Sequence, residues 1–139
     1  MHLLDTDTLT FYFADHVKVV HSYRTMADDE VGTTIITRIE MLRGRFDRLL
    51  KAATGEELVR AQQLLSKTEH ALGRVMTMPF DDNAAPLFDQ LRLAKRTRQI
   101  GRADLLIASI ALANRAILVT RNLRDFRRIP NLQVVNWVD

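Results

Sequence analysis

Apolar positions recur along this chain at two spacings, and the alternation between them outlines the fold. Leu3-Leu4 opens a short buried strand that ends in the polar run Asp5-Thr6-Asp7. Residues 8–27 carry a helical pattern, and a Gly-containing break falls near residues 28–32. The β-branched run 33–36 predicts a second strand. From about Arg38 a helix follows, with Ile39, Leu42, Phe46 and Leu49 along one stripe. Gly55 ends it, residues 56–72 form another helix, and residues 75–80 are extended. Helical spacing resumes over 84–98, Gly101 interrupts it, and 103–114 is an apolar helix. Ile117-Leu118-Val119 is a strand, and 132–137 supplies the last one.

Short strands alternating with helices predict an α/β protein built on a parallel sheet. No repeat, low-complexity tract or Pro/Gly-rich linker interrupts the pattern, so residues 1–139 read as one domain. Polar residues gather where strands end: Asp5-Thr6-Asp7, Thr37 to Glu40, and Thr120-Arg121-Asn122. In open α/β sheets the ligand crevice lies outside the carboxyl ends of the strands, so these residues are placed where chemistry is expected.

Composition removes several kinds of chemistry. The absence of Cys excludes disulfide scaffolds, thiolate zinc sites and Cys nucleophiles. His2, His16, His21 and His70 show no ligand spacing. The longest apolar run is far short of the ~20 residues that a spanning helix needs, and no export signal opens the chain, which points to the cytoplasm. The net charge of +3 is unevenly spread. Residues 92–128 carry ten cations, nine of them Arg, against Asp104 and Asp125, a local +8. Such a block suits a polyanionic partner, although a charge run taken alone more often marks a solvated helix face.

Each candidate acid also has a structural explanation. Asp5 ends an apolar strand, where turn and cap residues are common. Asp7 fits a helix N-cap before Thr8-Leu9, and Thr37-Arg38-Ile39-Glu40 matches the S/T-x-x-E capping box. Asp104 falls in a first helical turn, where the helix dipole favours an anion, and Asn122 reads as an N-cap with Asp125 three residues on. Taken together the acids weigh differently. Carboxylates gathered at strand ends repel one another, and a hard divalent cation with oxygen ligands would neutralise them. Such a pocket beside an Arg-rich surface suits phosphodiester hydrolysis.

Four segments then appear in a telling order: Leu3-Leu4-Asp5-Thr6-Asp7, Thr37-Arg38-Ile39-Glu40-Met41-Leu42-Arg43-Gly44, Gly101-Arg102-Ala103-Asp104-Leu105, and Leu118-Val119-Thr120-Arg121-Asn122-Leu123-Arg124-Asp125-Phe126. The chain resembles the PIN-domain family, in particular the VapC-type toxins of bacterial toxin–antitoxin pairs. The resemblance implies an α/β/α domain with a short parallel sheet and a Mg²⁺-dependent endoribonuclease, Mn²⁺ being an acceptable substitute. It implies Asp5, Glu40 and Asp104 as metal ligands, and it adds Asn122 and Asp125 to the catalytic set. Some relatives carry Asp where this chain has Asn122, which leaves the fourth acidic position open between Asn122 and Asp125. Thr6 and Thr120 would support the carboxylates, and Arg102, Arg121 and Arg124 would steer RNA phosphates. A cognate small antitoxin and a homodimer are implied as partners.

Two other readings compete. Asp5-Thr6-Asp7-Thr8 fits the D-x-D-x-T opening of haloacid-dehalogenase-type phosphatases, with Asp5 as nucleophile. An inactive PIN-like module that binds RNA or protein through its Arg-rich half is the other.

Overall fold

A computed structural model of the chain describes all residues except Asp28 and Asp29. Its elements run β1 (His2–Leu4), α1 (Thr6–Phe13), α2 (Val17–Thr25), β2 (Val31–Thr34), α3 (Ile35–Leu50), α4 (Gly55–Leu72), β3 (Met76–Met78), α5 (Ala84–Leu93), α6 (Arg102–Ala113), β4 (Ile117–Val119), α7 (Leu123–Phe126) and β5 (Gln133–Val135). The five strands form one parallel sheet in the order β3-β2-β1-β4-β5. No helix among the described residues is long and apolar enough to cross a membrane.

Because successive strand residues face opposite sides, adjacent residues of one strand feed two different cores. Leu3 and Leu118 join α5 and α6 through Phe88, Leu91, Ile107 and Ile110, all buried. Leu4 and Val119 instead meet Leu9, Val19, Met41 and Leu72 from α1 to α4. The result is a three-layer α/β/α arrangement. Strands buried on both faces are uniformly apolar, which is why β1 and β4 are legible as short Leu/Ile/Val runs.

The chain winds from β1 outward through β2 to β3, then returns to β4 and β5 on the other side. The winding direction reverses between β1 and β4, which pair from His2↔Ile117 to Leu4↔Val119. At such a reversal the loops leaving the two strands diverge and open a crevice. Asp5 and Thr120 are the residues that leave those strands.

Several boundaries differ from those the pattern predicts. The predicted helix over 8–27 is two helices, broken at Ala14-Asp15-His16, where Asp15 takes φ 60° and the His16 imidazole caps α2. Asp tolerates this left-handed conformation, so the break needs no Gly. Of the predicted break at 28–32, Asp28 and Asp29 lie outside the described residues, and Gly32 belongs to β2. That strand ends at Thr34, so Ile35 and Ile36 open α3 instead of closing β2. Gly55 begins α4 rather than stopping α3, and α5 ends at Leu93, not at residue 98.

Candidate active site

The first acid is placed by the strand it follows. Asp5 leaves β1 with only 7% of its surface exposed, and its Oδ1 accepts the Thr8 backbone N–H at 2.9 Å, capping α1. The cap expected at Asp7 therefore belongs to Asp5, and Asp7 lies exposed in the first turn of α1. Burial pushes the Asp5 carboxyl up. Hydrogen bonds from the Thr120 side chain and the Thr8 backbone partly offset this, and the Asp7 charge adds to it. The Thr8 hydroxyl lies beside the carboxylate and favours its charged form, without closing a hydrogen bond of good geometry.

Glu40 loses its structural explanation. The N-cap of α3 is Thr34, whose Oγ1 accepts the Thr37 N–H at 3.2 Å, so the expected Thr37–Glu40 capping box does not form. Glu40 lies a turn further along the helix, where the orphan N–H groups of a helix start are absent. Its Oε1 instead accepts the Thr6 hydroxyl at 2.6 Å, across 34 residues of sequence.

Asp104 occupies the first turn of α6. The dipole favours its charge there, yet its pKa is raised to about 6. Burial is the main cause, followed by the charges of Asp5, Glu40, Asp125 and Asp7. Three other segments thus bring carboxylates close enough to oppose the ionisation of Asp104. The expected cap at Asn122 does form, because its Oδ1 accepts the Asp125 N–H that starts α7. Its Nδ2 also donates to Asp125 Oδ2 at 3.1 Å. With both ends of the amide engaged, Asn122 orients the Asp125 carboxylate. Thr120, fully buried, accepts the Asn122 N–H at 2.9 Å while its hydroxyl serves Asp5, so one side chain ties the β4 exit to the β1 exit.

An open cleft of about 170 Å³ is lined by Asp5, Thr6, Asp7, Glu40, Asp104, Asn122 and Phe126. Phe126 is a wall that the sequence reading did not single out, although it directly follows Asp125. A wider cleft between the end of α3 and the start of α4, about 460 Å³, shares no residue with it and is lined by Arg48, Lys51 and Arg60. Size alone would have favoured that one; the gathered carboxylates favour the smaller.

None of the three expected phosphate-steering arginines lines the acidic cleft. Arg102 is exposed, with its guanidinium over the Phe88 ring at 5.3 Å. Arg121 lies over Phe11 at 5.6 Å and pairs with Asp139 at 3.4 Å. Arg124 is exposed on α7. The later acid pair required by a phosphatase is absent from the cleft too. Asp81 instead accepts backbone N–H groups of Asn83 and Ala84 ahead of α5.

The donor set suits a hard divalent cation: all oxygen, mostly carboxylate, with no cationic side chain in the lining. Among the described residues no three of these groups are close enough to hold an ion as they stand.

The sequence profile described as "PIN domain" matches residues 2–132. This chain belongs to the PIN domain family. Among PIN-domain relatives, Ribonuclease VapC2 of Rickettsia felis is 41% identical over 78 residues, a match spanning 55% of this chain and 58% of that protein. The tRNA(fMet)-specific endonuclease VapC of Salmonella typhimurium is 26% identical over 137 residues, 97% of this chain and 96% of the relative. The crystal structure of VapBC2 from Rickettsia felis bound to a promoter DNA fragment superposes with a TM-score of 0.77 at 28% identity, covering 98% of both chains. A PIN-domain assignment removes the phosphatase reading, and the parallel sheet between two helical layers agrees with it.

Proposed function

We propose that this chain is an endoribonuclease, the VapC-type toxin of a toxin–antitoxin pair, and that its acidic cleft hydrolyses RNA phosphodiester bonds with Mg²⁺. The observation that carries this reading is the gathering of Asp5, Asp7, Glu40 and Asp104 in one cleft at the reversal point of the sheet. The identities and names of the relatives support the RNA substrate and the antitoxin partner. A homodimer is part of the same proposal.

Asp5, Glu40 and Asp104 would supply the ligand oxygens, with Asp125 as the fourth acid. When bound, the cation supplies a Lewis acid for the phosphate and water of lowered pKa. The protein's own contribution is placement. Thr120 favours the charged form of Asp5 at the β1 exit, Asn122 aims Asp125, and the α6 dipole favours the charged form of Asp104. Phe126 closes one wall against water. All the acids the chemistry needs are present, which disfavours an inactive binding module.

Glu40→Gln tests the ligand role directly. The substitution keeps the shape and an acceptor for Thr6, and the capping box that Gln would also have satisfied does not exist. RNA cleavage is expected to fall roughly 10²-fold, as for loss of one charge-stabilising group. Cleavage at the wild-type rate in a metal-saturated assay would remove Glu40 from the site.

The Arg-rich half is expected to act through phosphate contacts. Arg124→Ala should flatten the log–log salt dependence of single-stranded RNA binding by roughly 0.7, the slope of one phosphate contact. Arg121→Ala should change it less, since that guanidinium is already shared with Asp139. Filter binding across a salt series measures both. Equal slopes in wild type and Arg124→Ala would return that residue to the solvated face.

A further inference from the structure

Glu40 is held by one threonine that is itself held by another. Thr6 Oγ1 lies 2.6 Å from Glu40 Oε1 and 3.1 Å from Thr37 Oγ1. A hydroxyl has one proton to give. The short contact to a carboxylate takes it, because a charge-assisted O–H···O⁻ bond is the stronger of the two. The Thr6 oxygen is then the acceptor for the Thr37 hydroxyl, and the bonds run one way, from Thr37 to Thr6 to Glu40.

Thr37 is fully buried, so its hydroxyl carries a desolvation cost that a hydrogen bond must offset. The helix does not ask for that hydroxyl: the side chain capping α3 is Thr34, which receives the Thr37 N–H, and Thr37 contributes backbone only. Local structure would be served as well by an apolar β-branched residue. Thr37 and Glu40 are three residues apart on α3 and so share a face, while Thr6 comes from α1. The chain of bonds therefore crosses from α3 to α1 and back. It restrains a long carboxylate side chain at the cleft that otherwise keeps its rotamer freedom.

We infer that Thr37 is a positioning residue for the reaction: acting through Thr6, it fixes the Glu40 carboxylate where a divalent cation would meet it. This rests on the proposed role of Glu40 as a ligand. Bonds in such a chain polarise one another, so loss of the far hydroxyl weakens the near contact as well.

Mn²⁺ alone, titrated into the full-length protein and followed by electron paramagnetic resonance, reads the effect without RNA. Thr37→Val should weaken Mn²⁺ binding roughly tenfold, the size found when groups that orient metal ligands are removed. Thr37→Ser, which keeps the hydroxyl, should bind as wild type does. In a Glu40→Gln background Thr37→Val should add no further loss. Single-turnover cleavage at saturating RNA should fall with Mn²⁺ affinity while RNA affinity stays put. A Thr37→Val protein that melts lower yet binds Mn²⁺ like wild type would overturn the inference and leave Thr37 a packing residue. If Thr37→Val does not fold, Thr6→Val breaks the same chain one link later, and undiminished Mn²⁺ affinity there overturns it equally. Glu40→Gln separates the two levels. Wild-type Mn²⁺ binding in that variant sinks the ligand role and this inference together, whereas weakened binding there with none in Thr37→Val sinks only the inference.

Discussion

Asp104→Asn is expected to lower RNA cleavage by roughly 10²–10³-fold while making the metal-free protein more stable at neutral pH. The two effects have one origin. The folded-state pKa of Asp104 is about 6 against an ordinary 3.8, so folding favours its neutral form. That favourable contribution is complete below pH 3.8 and is lost as the pH rises through 6, leaving the ionised group a liability at pH 7.5. The shift corresponds to at most about 3 kcal/mol, and partial exposure reduces the expected gain to about 1–2 kcal/mol. Asn carries no charge to repel Asp5, Glu40 and Asp125. Without metal, the variant should therefore melt above wild type at pH 7.5, with the gap closing toward pH 4. Mg²⁺ should raise the wild-type melting temperature, by linkage of binding to the folded state, and leave the variant nearly unmoved. Thermal melts at both pH values, with and without Mg²⁺, together with single-turnover cleavage, check this. Wild-type cleavage, or coincident melts at pH 7.5, would remove Asp104 from a repelling carboxylate cluster.

Gly32→Ala should damage the fold severely. A Cβ at Gly32 would stand 2.3 Å from the Met76 carbonyl oxygen and 2.9 Å from its Cβ, on the neighbouring strand. Backbone cannot give way as a flexible side chain would, so β2 and β3 would have to part. The expected cost is about 2–4 kcal/mol, a fall in melting temperature of roughly 10 °C. Because β2 leads directly into α3, displacement should reach Glu40 and reduce cleavage as well. Gly44→Ala is the control. Nothing lies within 4 Å of a Cβ there, and Gly44 is exposed in mid-helix, so stability should rise by about 0.5–1 kcal/mol. A Gly32→Ala protein melting within 2 °C of wild type would show the strand spacing to be slack.

The same glycine illustrates what the chain discloses before it folds. Read as sequence, Gly32 marks a break; in the structure it is the one residue small enough for the approach of β3. Apolar runs such as Leu3-Leu4 and Ile117-Leu118-Val119 are legible because burial on both faces leaves no polar alternation to confuse them. Asp5, Asp104 and the Asn122 cap are legible for a related reason: each immediately follows or begins an element. Glu40 is ambiguous in the sequence, since Thr37 stands at capping-box spacing before it, and the true cap, Thr34, emerges only once the end of β2 is known. The partners of Thr6 and Arg121 were beyond reach, being 34 and 18 residues away in sequence. No local spacing rule connects such pairs; only the packing of α1 on α3, and of the β4 exit on the C-terminal residues, does so.

The pairing of β1 with β4 also dictates when in a molecule's life the cleft can exist. Leu4 waits for Val119 before its strand has neighbours on both edges, and Asp5 waits for Thr120. Contacts so distant along the chain are slow to form and cannot form at all on a growing polypeptide until β4 has emerged. A nascent chain still attached to the ribosome therefore carries Asp5, Glu40 and even Asp104 without assembling them, and the cleft is finished only once β4 and β5 are free to dock.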